Sequence, residues 1–437
     1  MFRSKKWTAI GIFLLAFSVR CTQLGLMDRG DRVAAIVLSD GTLLSYDEGV
    51  NVAKSLVVTG EYADPFFNHQ TGPTAHLPPS FPAATALLFY VFGTGYDGAI
   101  ARDVVNMAGY SLLFALLPAA SAWFGMARIV GIVAGFAAAS YPFFRLSELN
   151  TARDEWLAAM LLLLLTVYAW RIAGRDELTN RSALLYGAGW GALMYAQPVT
   201  VPILAVHLAI VLFTRQRATG RRLAYAALVS AAFVTVIAPW VVRNRLVMGG
   251  WIFMRDNAGL ELAVSNGDGA KASFEGNMHG TWFCTVHPNC NPAAVEQIRQ
   301  SGELEFNRIA MQNALSWIRE NPSHFAQLTF RRVVYFWCDF PSHGSLFFIR
   351  AVTSLLGLAG LWMMWRRGLA LQAILFGVIW IVYPLTFYVV QYMDRYVVPM
   401  APEILLPAAF AICALAAPKT KLVEAGGVGL EPGIEPV

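Results

Sequence analysis

The groups in this chain best suited to chemistry are paired carboxylates. Asp47 and Glu48 stand together in Ser45-Tyr46-Asp47-Glu48-Gly49-Val50-Asn51, and Asp154 and Glu155 in Thr151-Ala152-Arg153-Asp154-Glu155-Trp156. A carboxylate within hydrogen-bond reach of a hydroxyl can take its proton as the oxygen attacks an electrophile. Guanidiniums able to hold a phosphate through two parallel hydrogen bonds follow later. They are Arg243 and Arg245 in Pro239-Trp240-Val241-Val242-Arg243-Asn244-Arg245, and Arg395 in Tyr392-Met393-Asp394-Arg395-Tyr396. Lys54 and His76 are further candidates for substrate contact. Each group also has an ordinary structural explanation. Acids in a first helical turn complement the helix terminus, Thr151 and Asp154 have capping-box spacing, and arginines snorkel among lipid headgroups. A lone histidine is more often structural than catalytic, and Asp394 could simply neutralise Arg395. Their coincidence at one face of a membrane is what argues for a site.

The membrane follows from composition. Of 437 residues, 57% are hydrophobic and only 14% charged, with a mean hydropathy of +0.50. A soluble chain of this length needs about a quarter of its residues charged. The 13 Trp, 15 Tyr and 28 Phe suit aromatic belts at two interfaces. Runs of roughly 20 apolar residues cross about 30 Å of hydrocarbon. Such runs predict about ten spans, within a range of nine to twelve, near residues 7–26, 101–126, 129–146, 156–172, 184–197, 199–213, 223–242, 346–365, 370–391 and 397–416. The expected fold is an all-α polytopic membrane protein. Residues 81–92 and the amphipathic stretch 325–340 are too short or too polar to span and read as interfacial or re-entrant.

Basic residues set the expected orientation. Arg3, Lys5, Lys6, Arg128, Arg171, Arg175, Arg181, Arg215, Arg217, Arg221, Arg222, Arg366, Arg367, Lys419 and Lys421 fall at connections on one side. The positive-inside rule makes that side cytoplasmic, with both termini inside. The domain organisation that results has an amino-terminal transmembrane module over 1–242, whose outer loop 27–100 carries the first acidic pair. An outer loop over 243–345, carboxy-terminal helices over 346–417 and a flexible tail over 418–437 complete it. No small-residue cleavage site precedes Arg20, so the first apolar run reads as a retained anchor.

Within the first outer loop, residues 45–57 placed on a helix put Asp47, Glu48, Asn51, Lys54 and Ser55 in an arc of about 120°, opposite Val50, Val52, Ala53, Leu56 and Val57. Its apolar side would lie on the membrane or on the bundle. Pro73, Pro78, Pro79 and Pro82 then force an extended, rigid approach to the next helix. Cys21, Cys338 and Cys413 read as packing residues. Cys284 and Cys290 share one outer loop, where an oxidising compartment favours a bridge; His287 and His279 nearby leave a metal site as the alternative. No Walker A loop, GxGxxG or run of like charge is present, so nucleotide chemistry and nucleic-acid binding have no support.

Several features in order resemble the GT-C superfamily of integral-membrane glycosyltransferases. They are Asp47-Glu48 in the first outer loop, Gly72-Pro73-Thr74-Ala75 followed by Pro78-Pro79 and Pro82, the exit Pro239-Trp240-Val241-Val242-Arg243-Asn244, and Arg395-Tyr396-Val397-Val398-Pro399 before a final helix. The likeness is to the bacterial protein mannosyltransferase-like and aminoarabinose-transferase-like family. It implies transfer of a sugar, with inversion, from a polyprenyl-phosphate donor to a lipid, glycan or protein acceptor at the outer face of a bacterial inner membrane. It implies Asp47 as general base, Glu48 orienting it or the substrate, and Asp154 and Glu155 assisting the site or holding a divalent cation. Arg395, with Arg243 as second choice, would stabilise the departing phosphate. Membrane lipids are the other partners expected. Many relatives place a basic residue directly before the Pro-Pro pair, where this chain has Leu77 with His76 one residue earlier. The alternatives are a lipid-linked saccharide transporter or flippase, and a polysaccharide polymerase or ligase. A transporter would be expected to carry ionisable groups near span centres, which are nearly free of charge here.

Overall fold

In hydrocarbon a backbone satisfies its own amides only as a helix or a closed barrel, and the apolar runs of this chain are helices. The computed structural model describes residues 2–28, 35–37, 43–140, 153–175, 178–215, 218–339, 345–416 and 422–423. In chain order, α1 (Phe2–Gly25) leads to a two-stranded antiparallel ribbon, β1 (Ala35–Val37) and β2 (Leu43–Ser45). Then come α2 (Glu48–Val58), α3 (Ser80–Phe92), α4 (Tyr96–Trp123), α5 (Arg128–Ser140), α6 (Glu155–Arg175), α7 (Asn180–Met194), α8 (Val201–Phe213) and α9 (Thr219–Met248). A set of mostly shorter helices follows: α10 (Ala258–Ser265), α11 (Phe274–His279), α12 (Trp282–Val286), α13 (Pro292–Ser301), α14 (Glu303–Glu320) and α15 (Pro322–Cys338). The chain closes with α16 (Ser345–Arg366), α17 (Ala370–Val382), α18 (Leu385–Val389), a 3-10 segment over Asp394–Met400, and α19 (Ala401–Ala416).

Among the described residues seven helical stretches are long and apolar enough to cross a membrane: Lys6–Gly25, Tyr96–Trp123, Glu155–Gly174, Thr219–Met248, Phe348–Arg366, Ala370–Val389 and Asp394–Ala416. The protein is thus an all-α polytopic membrane protein. The other three segments expected to span are α5, α7 and α8, helices of 13, 15 and 13 residues. Residues 141–146 of the expected third span, Thr151, and all of the expected tail except 422–423 lie outside the described residues.

Lipid offers no hydrophobic drive between helices, so close backbone approach has to supply the contact. Gly131 on α5 faces the Leu117 carbonyl of α4, Gly187 on α7 the Val229 carbonyl of α9, and Gly360 on α16 the Pro407 carbonyl of α19. A methyl group at these three places would come 2.2, 2.2 and 1.9 Å from those oxygens.

Connections gather at two ends of the bundle. At one, Arg215 donates to the carbonyls of Ala173 and Gly174, Arg221 to that of Leu178, and Gln372 to that of Phe124. At the other, α10–α15 and the segment between α2 and α3 form one body. Phe66 of that segment enters a core with Leu260, Val264, Phe283, Ile298 and Phe306. The Glu303 carboxylate accepts from the Ala75 amide at 2.8 Å and the Thr74 hydroxyl at 2.5 Å, and the Asp256 amide donates to the Ala75 carbonyl at 2.7 Å. The proline-rich approach is therefore fastened from outside. Cys284 and Cys290 form a disulfide. The metal alternative fails there, because His287 stacks on Phe283 while His279 hydrogen-bonds the Glu275 carbonyl elsewhere.

The first-loop helix starts at Glu48, with Asp47 as its cap. Its apolar residues Val50 and Ala53 pack on Phe81 and Phe89 of α3, so the protein rather than lipid covers them. Phe81 lies so close under Gly49 that a Cβ there would approach its ring to 2.5 Å.

Candidate active site

Helix α2 begins where Asp47 Oδ1 accepts from the Gly49 and Val50 amides at 2.8 and 3.1 Å, the usual way an aspartate satisfies orphan donors of a first turn. Its other oxygen receives Arg153 Nε at 2.9 Å, while Arg153 Nη2 reaches Glu48 Oε2 at 2.7 Å. One guanidinium thus binds both members of the first acidic pair, across more than a hundred residues of chain. It also stands over the Phe81 ring, 5.7 Å from the centroid. The backbone amide of Arg153 donates to Glu155 Oε2 at 2.6 Å, and Glu155 Oε1 lies 3.7 Å from Arg395 Nη1. Asp47, Glu48, Arg153, Glu155 and Arg395 therefore form one connected cluster.

A cavity of about 400 Å³ opens beside it. Its walls come from the ends of separate elements: Leu77 to Pro82 ahead of and within α3, Arg153 to Ala158 at the start of α6, Ala196 to Val199, the α10 region from Arg255 to Leu262, and Thr386 to Tyr396. Most of the lining is apolar. The polar exceptions are Arg153, Asp154, Glu155, Gln197, Arg255, Asn257, Glu261, Thr386, Arg395 and Tyr396. This is the composition of a site that orients an amphipathic ligand through a few charged groups.

Three guanidiniums face this space. Arg255 donates to Asn257 Oδ1 at 2.6 Å and stays 3.8 Å from Glu261. Burial lowers its pKa, Glu261 and Tyr396 oppose that, and the charges of Arg153 and Arg395 push it further down. Arg395 is not neutralised by Asp394, whose carboxylate turns the other way to a buried ion pair with Arg350 and a hydrogen bond from Tyr392. The Nε of Arg395 is buried with no partner among the described residues. Its nearest carboxylate is beyond hydrogen-bond length.

The carboxyls differ sharply. Asp154 lines the cavity and accepts from the Ser80 hydroxyl; burial, reinforced by Glu155, pushes its pKa up to about 7. Glu48 is opposite in sign: burial would raise it, but Arg153, then His287 and His76, hold it down at about 2. His287 lies 3.7 Å from Glu48, yet burial lowers the imidazole to about 4, so it is neutral at pH 7. Its Nδ1 accepts from the Asn289 amide at 3.1 Å, which leaves the proton on Nε2 facing Glu48. Asn289 in turn accepts from Phe67 and donates to the Tyr46 carbonyl at 2.9 and 3.3 Å.

Of the residues singled out by sequence, Asp154, Glu155 and Arg395 line the cavity, and Asp47 and Glu48 stand one guanidinium behind it. Arg243, expected as a second phosphate ligand, is spent elsewhere. It donates to the Thr74 and Tyr62 carbonyls at 2.6 and 3.0 Å and is held between the Tyr62 and Trp240 rings. His76 is buried against Phe66, and burial lowers it to about 3; Lys54 sits partly exposed on α2; neither lines the cavity. Arg153, Arg255 and Glu261 are the additions, and His287, expected only as a possible metal ligand, stands beside Glu48 instead. Arg153 was visible between Thr151 and Asp154, and Arg255 in the charged run after α9. Among the described residues no three His, Cys, Asp or Glu groups converge to hold a metal ion. Asp154 and Glu155 are matched instead with Ser80, the Arg153 amide and Arg395, a donor set that does not fit a divalent cation. No family model matches this chain, and no curated protein matches its sequence significantly.

Proposed function

We propose that this protein is a GT-C-like membrane glycosyltransferase with about ten spans, in which α5, α7 and α8 complete the crossing set, and that the cavity opens on the extracytoplasmic side. The observation that carries the proposal is one cavity, largely apolar, into which Arg153, Arg255 and Arg395 converge beside Asp154 and Glu155. Apolar walls suit a polyprenyl chain, and clustered guanidiniums suit its phosphate.

In the reaction, an acceptor hydroxyl attacks the anomeric carbon from the face opposite the phosphate. The new C–O bond forms as the old one to phosphate breaks, the configuration inverts, and the bonding pair leaves with the phosphate. Arg395 and Arg255 meet that growing negative charge. The hydroxyl proton goes to a carboxylate, and the geometry favours Asp154 over Asp47. Asp154 lines the cavity with a pKa near 7, whereas both oxygens of Asp47 are engaged by the helix cap and Arg153. Asp47 and Glu48 then act as positioning residues that hold Arg153 toward the cavity.

The test is to incubate purified protein with a panel of polyprenyl-phosphate sugars and follow donor consumption by mass spectrometry. Wild type consumes one donor; Asp154→Asn and Arg395→Ala each lower kcat by about 10²–10³-fold. No consumption of any donor by folded protein removes the proposal. Loss in Asp47→Asn with full activity in Asp154→Asn returns the role of base to Asp47.

A further inference from the structure

The helices of the outer body enclose a second cavity, also about 400 Å³, walled by α10, α12, α13 and α14. Helices α10 and α14 contribute to both cavities, so the two share a wall. None of its 16 lining residues is charged. That neutrality is selective, because α13 and α14 carry Glu296, Arg299, Glu305 and Arg308, which pair among themselves on exposed faces. Neutral amides and a hydroxyl stand in the lining instead, with two tryptophans.

We propose that this second cavity binds an uncharged saccharide, with Trp282 and Trp317 as the stacking surfaces, the Gln297 and Asn313 amides as the hydroxyl-recognising groups, and the Thr285 oxygen, whose proton goes to the Trp282 carbonyl, as a further acceptor. The C–H face of a pyranose is apolar and rests on an indole, while its equatorial hydroxyls need neutral donors and acceptors at the rim. Both indoles are half-buried and held fast. Trp282 donates through Nε1 to the Val264 carbonyl at 2.9 Å and packs on Gly267, where a Cβ would come 1.8 Å from its ring. Trp317 donates to Asp268 at 2.7 Å and meets His324 edge-on. Rings fixed beforehand lose little freedom on binding.

The amides divide into two groups. Asn291 caps α13 and Asn266 bonds the Leu262 and Val389 carbonyls, so both are structural. The side chains of Gln297 and Asn313 line the cavity with no partner among the described residues. The lining itself offers an ion no countercharge, and a purely apolar ligand would strand these amides. The site stands apart from the reaction cavity and does not depend on its chemistry.

The experiment is calorimetric titration of the full chain, in nanodiscs free of sugar-headed detergent, with neutral disaccharides of glucose, mannose, galactose and N-acetylglucosamine. At least one is expected to bind with a Kd of about 1 mM or lower. Trp317→Ala should weaken binding by about tenfold or more. Asn313→Arg, at an exposed position with no structural bond to lose, should abolish it and keeps the test valid if Trp317→Ala misfolds. Arg395→Ala, in the first cavity, should leave binding unchanged, which separates this site from the transfer reaction. Absence of binding by the whole panel overturns the proposal. So does binding that survives Asn313→Arg, or affinity for a proline-rich peptide in place of every sugar.

Discussion

Arg153→Met is the most searching single perturbation of this structure. It removes the guanidinium that holds Asp47 at 2.9 Å and Glu48 at 2.7 Å, while the methionine keeps most of the aliphatic stem. Both carboxylates are about 85% buried, their side chains being 14% and 16% exposed. Breaking a buried pair from one side leaves an uncompensated charge, at a cost of about 3–5 kcal/mol. Glu48 points the same way, because Arg153 holds its carboxyl well below the usual range against the rise that burial alone would cause. In wild type this depressed carboxyl stabilises the fold above pH 4.5, and the contribution disappears as pH falls through about 2. In the variant, burial acts unopposed by Arg153 and raises the same group, so acid relieves the defect by protonating it. Thermal unfolding in nanodiscs, followed by intrinsic fluorescence at pH 7 and pH 4, measures both effects. A loss of about 3–8 °C in Tm is expected at pH 7, shrinking at pH 4. A variant as stable as wild type at pH 7, or a deficit that grows on acidification, refutes the assignment of Arg153 as the bond between the two acidic segments.

The proposed sugar transfer should quicken as pH rises through about 7 and Asp154 ionises, and Asp154→Asn should lack that limb in a pH–kcat profile. Cys284→Ser should cost about 2 kcal/mol, from the short loop the disulfide closes, and chemical denaturation of the oxidised and reduced proteins should differ by the same amount. Gly360→Val should prevent correct assembly of α16 on α19, seen as aggregation on size-exclusion chromatography, because its Cβ would meet the Pro407 carbonyl at 1.9 Å.

The seven long spans were legible because hydropathy over eighteen residues or more is a local property of the chain. The paired acids and Arg395 were legible by residue type, and the fold brings them together. The position of each acid relative to the cavity did not follow from type alone, since only tertiary packing puts Asp154 on the cavity wall and Asp47 behind Arg153. Arg243 has the same chemistry as Arg395, but the Tyr62 and Thr74 carbonyls meet it first. His287 and Asn289 carried no signal for this cluster, because Glu48, the partner that brings them to it, lies far away in sequence; Arg255 pairs locally with Asn257 and Glu261, and only its place on the cavity wall is tertiary. Arg153 lies in the second acidic run, where the capping pattern accounts for its neighbours and gives no sign of its bonds to Asp47 and Glu48.

Asp394 and Arg395 are adjacent yet serve opposite sides of the same short 3-10 segment, one anchored to Arg350 and the other turned to Glu155. With about three residues per turn, each step rotates the side chain by about 120°. A one-residue insertion between the anchor and the cation would change their phase, swinging the guanidinium out of the cavity while leaving composition and hydropathy almost untouched. Length in this stretch is therefore under tighter constraint than identity at most of its positions.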